Sequence, residues 1–74
     1  MNYEIRADMA ASVWKVLTAE GDHIQADDVL VILESMKMEI PVTAERDGIV
    51  VSINVKEGMT IREGDCLLTM SLTS

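Results

Sequence analysis

Lys37 stands between two methionines, in the run Glu34-Ser35-Met36-Lys37-Met38-Glu39, at the middle of a chain of 74 residues. A primary amine is the nucleophile in that run, and it reacts only when neutral. A lysine amine in water is well under about 1% neutral at pH 7. The domain does not activate this nucleophile itself, so the base has to come from a modifying enzyme. The chemistry within reach is modification of Lys37 by another protein.

Two apolar, strand-like runs hold this lysine: Val29 to Glu34 before it and Met38 to Thr43 after it. They read as a β-hairpin with Met36-Lys37 as the central pair. Two-residue hairpin loops favour Asn-Gly or Asp-Gly, because both central residues need positive φ. Met-Lys breaks that rule inside a chain that otherwise chooses its turn residues conventionally, which points to a functional position. The alternative is an ordinary exposed lysine in a longer loop, and the turn chemistry alone leaves both readings open. Pro41 has no N–H to donate, so it belongs at a sheet edge or a bulge.

The elements around the hairpin repeat with an offset of 37 residues. Val13 matches Val50, Glu20 matches Glu57, Gly21 matches Gly58, Ile24 matches Ile61, Asp28 matches Asp65 and Leu30 matches Leu67. Turn residues match as well as apolar ones, which marks a structural duplication. The predicted strands are Val13–Leu17, Val29–Leu33, Gly48–Val55 and Cys66–Leu72. Predicted turns fall at Glu20-Gly21-Asp22, Asp27-Asp28, Glu57-Gly58-Met59 and Glu63-Gly64-Asp65. This spacing is that of a sandwich or barrel, and no apolar stripe at helical period runs for three turns. Shifting Lys37 by the repeat lands on Ser74, so a twofold relation between the copies predicts the lysine at one pole and the chain ends at the other.

Composition narrows the function classes. The chain has no Phe, one Trp and one Tyr, so the core must be Val, Ile, Leu and Met. Six Lys and Arg against 13 Asp and Glu form no basic patch, which excludes a nucleic-acid binder. The single Cys66 excludes an internal disulfide, fits a reducing compartment and reads as a small apolar strand residue. The N-terminal residues carry no signal-peptide pattern and no run reaches membrane-spanning length. The expectation is a cytoplasmic protein, complete in itself and monomeric, with one domain over 1–74. One His and one Cys fall short of a catalytic or metal-binding set. His23 reads as a surface turn residue and Trp14 as a packed one.

Glu34-Ser35-Met36-Lys37-Met38-Glu39 resembles the attachment motif of biotinyl carrier domains, usually Glu-Ala-Met-Lys-Met. The resemblance extends to the Gly21-Asp22 turn, to Asp47-Gly48-Ile49-Val50, and to the Glu57-Gly58 and Glu63-Gly64-Asp65 turns. By size the chain is similar to the small stand-alone biotin/lipoyl attachment proteins. Ser35 replaces the usual Ala. Ala7-Asp8-Met9-Ala10-Ala11 stands where the family has Ala-Pro-Met-Pro-Gly, and there is no insertion like the thumb loop of some bacterial carriers.

The resemblance implies an all-β fold, a flattened barrel-sandwich of two four-stranded antiparallel sheets with pseudo-twofold symmetry. It implies covalent biotin on Lys37, placed there by a biotin protein ligase. The loaded domain would be a carrier and not itself an enzyme, moving a carboxyl group between biotin carboxylase and carboxyltransferase sites. Met36 and Met38 are the candidates for docking on those partners, the alternative being packing on the barrel rim. Glu34, Ser35 and Glu39 are the candidates for ligase recognition, the alternative for the glutamates being solvated charge. Two rivals remain: a lipoyl carrier, with lipoate in place of or beside biotin, and an unmodified interaction module. Lipoyl domains usually have Asp before the lysine and Ala or Val after it, unlike Met36 and Met38.

Overall fold

A computed structural model describes residues 2–72 as eight strands. They are β1 (Asn2–Arg6), β2 (Ala11–Val16), β3 (His23–Ile24), β4 (Val29–Ser35), β5 (Met38–Thr43), β6 (Gly48–Ile53), β7 (Thr60–Ile61) and β8 (Cys66–Leu72). One sheet has the order β1-β8-β6-β3 and the other β5-β4-β2-β7, every pairing antiparallel. The 37-residue offset carries each sheet onto the other: β2 onto β6, β3 onto β7, β4 onto β8, and β5 back onto β1.

The symmetry extends to hydrogen bonds and irregularities. The Gly58 amide donates to the Val13 carbonyl and the Gly21 amide to the Val50 carbonyl, each at 2.8 Å. Register shifts leave Trp14 unpaired in β2 and Val51 unpaired in β6, and likewise Leu30 in β4 and Leu67 in β8. Gly21 and Gly58, with φ of 90° and 92°, let the chain turn sharply enough to cross from one sheet to the other. The Asp28 carboxylate accepts from the Gln25 amide and the Asp65 carboxylate from the Arg62 amide, both at 2.9 Å, closing the second pair of turns.

Between the sheets lies a core of repeat mates: Val13 with Val50, Leu30 with Leu67, Val31 with Leu68, Leu33 with Met70, Ala7 with Ala44. No aromatic side chain is among its buried residues, although the half-buried Tyr3 packs against it. No polar side chain is buried in it among the described residues, so the layer is held by apolar burial and by the strand ladders.

Several expectations need correction. The short edge strands β3 and β7, and β1, were not predicted, because two- to five-residue strands beside turn residues carry too little alternation to read. The strand predicted over 13–17 runs from Ala11 to Val16, and that over 48–55 stops at Ile53. His23 is exposed but sits in β3 rather than in a turn. Trp14 is 42% exposed rather than packed, because it follows the buried Val13 on the outward side of the alternation, and the bulge there keeps Lys15 outside as well.

Candidate functional site

From Val31 onwards the β4–β5 ladder runs without interruption up to the lysine. Leu33 pairs with Ile40, Glu34 with Glu39 and Ser35 with Met38, leaving Met36 and Lys37 as a two-residue loop. Their φ values are 53° and 66°, both in the left-handed region that a tight hairpin of this length demands. The hairpin reading therefore holds and the longer loop does not. β4 fixes the geometry from behind, because Leu30, Val31 and Leu33 are at most 2% exposed. β5 is an edge strand, which accommodates Pro41 without breaking a ladder bond.

The side chains at the tip face water. Met36 is 90% and Met38 62% exposed, so neither packs on the rim of the barrel. Lys37, Glu34 and Glu39 are exposed and Ser35 is half-buried. Glu34 and Glu39 sit directly opposite each other across the ladder. The ion pair among the described residues joins Arg6 to Glu4 and lies elsewhere, so no carboxylate holds the Lys37 amine. A free amine on a fixed turn suits transfer of an acyl group onto Nζ.

The path of the chain sets the lysine apart from the paired residues Asn2 and Ser71. Ser12 of β2 pairs with Glu34 of β4 and with Thr60 of β7, so β7 lies at the lysine end of its sheet. The turn after β7 leads into β8, whose seven residues then run about 20 Å away from that end. Asn2 pairs with Ser71 at the far end of a body 37 Å long. Ser74, the repeat mate of Lys37, lies outside the described residues.

Two features escaped sequence reading. The Glu20 and Glu57 carboxylates reach across the dyad to the amides of Ile53 (3.4 Å) and Val16 (3.1 Å); their identical offset was a signal, but not of what they bind. A groove of about 310 Å³ lies between the edges β1 and β5, floored by Tyr3, Ile5, Ile40 and Val42 and rimmed by Glu4, Arg6 and Glu45. Arg6 is committed there to Glu4 and to the Gly64 carbonyl. Among the described residues no group of three His, Cys, Asp or Glu is placed to hold a metal ion, and no helix is long and apolar enough to cross a membrane.

Comparison with known proteins agrees with this geometry. The biotin/lipoyl family, described as biotin-requiring enzyme, matches residues 4–70. The chain is 48% identical over 67 residues to a biotin/lipoyl attachment protein of Bacillus subtilis, covering 90% of this chain and 92% of that one. It is 49% identical over 71 residues to a homolog of the biotinylated protein TB7.3 from Mycobacterium leprae, covering 96% and 100%. Among solved structures, a single-chain, multi-domain long-chain acyl-CoA carboxylase superposes with a TM-score of 0.93 at 33% identity, over 99% of this chain and 7% of that one. By matched length, by fold and by the hairpin it presents, the chain belongs to the biotin/lipoyl attachment family.

Proposed function

We propose that Lys37 is the acceptor for covalently attached biotin and that the domain is a biotin carboxyl carrier. The observation that carries this reading is the two-residue turn that holds Lys37, in no ion pair among the described residues, at the exposed tip of the β4–β5 hairpin. Lys37 Nζ attacks the acyl carbon of a biotinyl adenylate held by a biotin protein ligase. A C–N bond forms, the adenylate leaves, and the ligase takes the amine proton.

Once attached, biotin supplies the ring nitrogen that takes up and hands on a carboxyl group. The chain's own contribution is placement. The hairpin fixes the Cα of Lys37 and sets the tip at the opposite pole of the body from Asn2 and Ser71. Met36 and Met38 offer adaptable apolar contacts to more than one partner surface. Glu34 and Glu39 give a ligase an acidic mark beside the target. Tethering a reactive group in this way replaces free diffusion by a high local concentration at biotin carboxylase and carboxyltransferase sites.

A lipoyl carrier, or a carrier accepting both groups, is the second reading, favoured by the biotin/lipoyl attachment protein among the relatives. Intact mass after incubation with biotin and biotin protein ligase, and separately with lipoate and a lipoate ligase, decides between them. The expected result is a biotin increment on the wild type and none on Lys37→Arg. An increment from lipoate alone would favour the second reading, and no increment from either would remove both.

A further inference from the structure

The two halves of the molecule obey the same fold, so a difference at equivalent places is something the fold does not demand. Such a difference runs across the outer faces of the two sheets. On the lysine-bearing sheet, Lys15, Ile32 and Pro41 lie side by side across β2, β4 and β5. The equivalent row on the other sheet is Ser52, Thr69 and Glu4. Beside the first row the bulge residue is Trp14, with the Lys15 Nζ 5.6 Å from its ring centroid; in the other sheet it is Val51. Leu17 and Val29, 54% and 39% exposed, extend the patch where the other half has Asn54 and Cys66. One outer face is therefore apolar and aromatic, and its twin is largely polar.

The next row towards the tip is Ser12, Glu34 and Glu39, against Ile49, Ser71 and Asn2. Glu34 and Glu39 repel each other across the ladder, and neither is in an ion pair among the described residues. An exposed aromatic and aliphatic cluster bordered by uncompensated charge has the composition of an interface rather than of a plain surface. The acidic pair points to a basic partner. A second copy, itself carrying a net charge of −7 and the same acidic row, is a poor match. The patch and the lysine share β4 and β5, so a partner seated on the patch holds the tip in a fixed register.

We propose that the outer face of the β5-β4-β2 layer, anchored on Trp14, Ile32 and Pro41, is the docking surface for the enzyme that acylates Lys37, and that this enzyme meets it with apolar side chains flanked by basic ones opposite Glu34 and Glu39. The proposal rests on Lys37 being the acceptor.

The symmetry supplies the test variants. Trp14→Val, Ile32→Thr and Pro41→Glu each introduce the residue that already occupies the equivalent place in the other sheet. Acylation by a biotin protein ligase, followed with carrier concentration varied, should show KM raised about tenfold or more in the triple variant with kcat held within about twofold. Val51→Ala with Thr69→Ala on the opposite face should change neither. An unchanged KM in the triple variant, with the wild type acylated, overturns the docking face and leaves Lys37 standing. Failure of the wild type to be acylated removes the Lys37 reading itself.

Trp14 is the one tryptophan, so its indole N–H gives a single resonance in the ¹⁵N-labelled wild type, which needs no variant to fold. That resonance should shift or broaden when unlabelled ligase is added. If the hairpin signals respond and the indole does not, the proposal fails. It also fails if sedimentation shows a wild-type dimer that the triple variant abolishes, since a second copy would then occupy the face.

Discussion

Met36 and Lys37 hold adjacent left-handed backbone conformations, with φ of 53° and 66°, in a loop of two residues. Neither side chain is suited to that region, where each residue other than Gly, Asn or Asp costs about 1–2 kcal/mol. The hairpin is stable because β4 buries three apolar side chains behind it and the ladder holds Leu33 opposite Ile40.

Replacing Met36 by Asn should relieve part of that strain. Urea unfolding should show a gain of about 0.5–1 kcal/mol, from the lower cost of the left-handed conformation. On the proposed function, the rate of acylation by the ligase should fall in the same variant, because the exposed thioether contact is lost. Unchanged or faster acylation in the stabilised variant would argue that Met36 makes no contact with the ligase.

Gly48 should not tolerate even a methyl group. A Cβ there would stand 2.6 Å from the Ser71 carbonyl oxygen and 3.1 Å from Met70 Cε, and the first of these is backbone that cannot swing aside. Gly48→Ala should lower stability by about 1–3 kcal/mol in denaturant titration. Its repeat mate is Ala11, already an alanine and buried, so Ala11→Gly should cost only about 0.5–1 kcal/mol. Equal effects at the two sites would contradict the close approach seen at one of them.

Leu30 and Leu67 are repeat mates, both fully buried and both at bulges. Each truncation to Ala should cost about 2–5 kcal/mol, a large share of the stability of so small a domain. The two losses should agree to within about 1 kcal/mol, because the sites match in burial and in bulge geometry and so collapse alike. A wide gap between them, measured by thermal or urea unfolding, would show that the halves differ energetically where they match in geometry.

Asp28 and Asp65 each accept one backbone amide in equivalent turns, from Gln25 and Arg62. Removing either carboxylate with Ala should cost about 1 kcal/mol, the net worth of such a bond. Because the two share no partner, the double variant should lose the sum to within about 0.5 kcal/mol. Marked non-additivity would mean that the turns communicate across the dyad.

Much of this was legible along the chain. The 37-residue repeat announced two equivalent halves, and Gly21, Gly58, Asp28 and Asp65 marked their turns, because turn chemistry depends on a residue's own backbone and its immediate neighbours. The position of Lys37 at a hairpin tip, the edge placement of Pro41 and the aliphatic core followed from local alternation and composition. Trp14 could have been read correctly from one conflict. Strict alternation after the buried Val13 sends Trp14 outwards and Lys15 inwards, and an inward lysine in an apolar core is untenable. An extra residue had to be absorbed there, and Trp14 is the one left unpaired.

What only the tertiary structure decided depends on two strands at once. A bulge is a mismatch between partners distant in sequence, so the register that keeps Lys15 outside beside Trp14 and sets Glu34 against Glu39 exists only when β2, β4 and β5 are assembled. The clearance at Gly48 is fixed by a carbonyl on β8, which no property of residue 48 alone encodes. The positive φ of Met36 and Lys37 likewise comes from the β4–β5 ladder that closes on either side of them, which overrides the preferences of both residues. By itself the chain determined that a lysine would be presented. The packing behind it determined in what backbone conformation, and beside which face of the sheet.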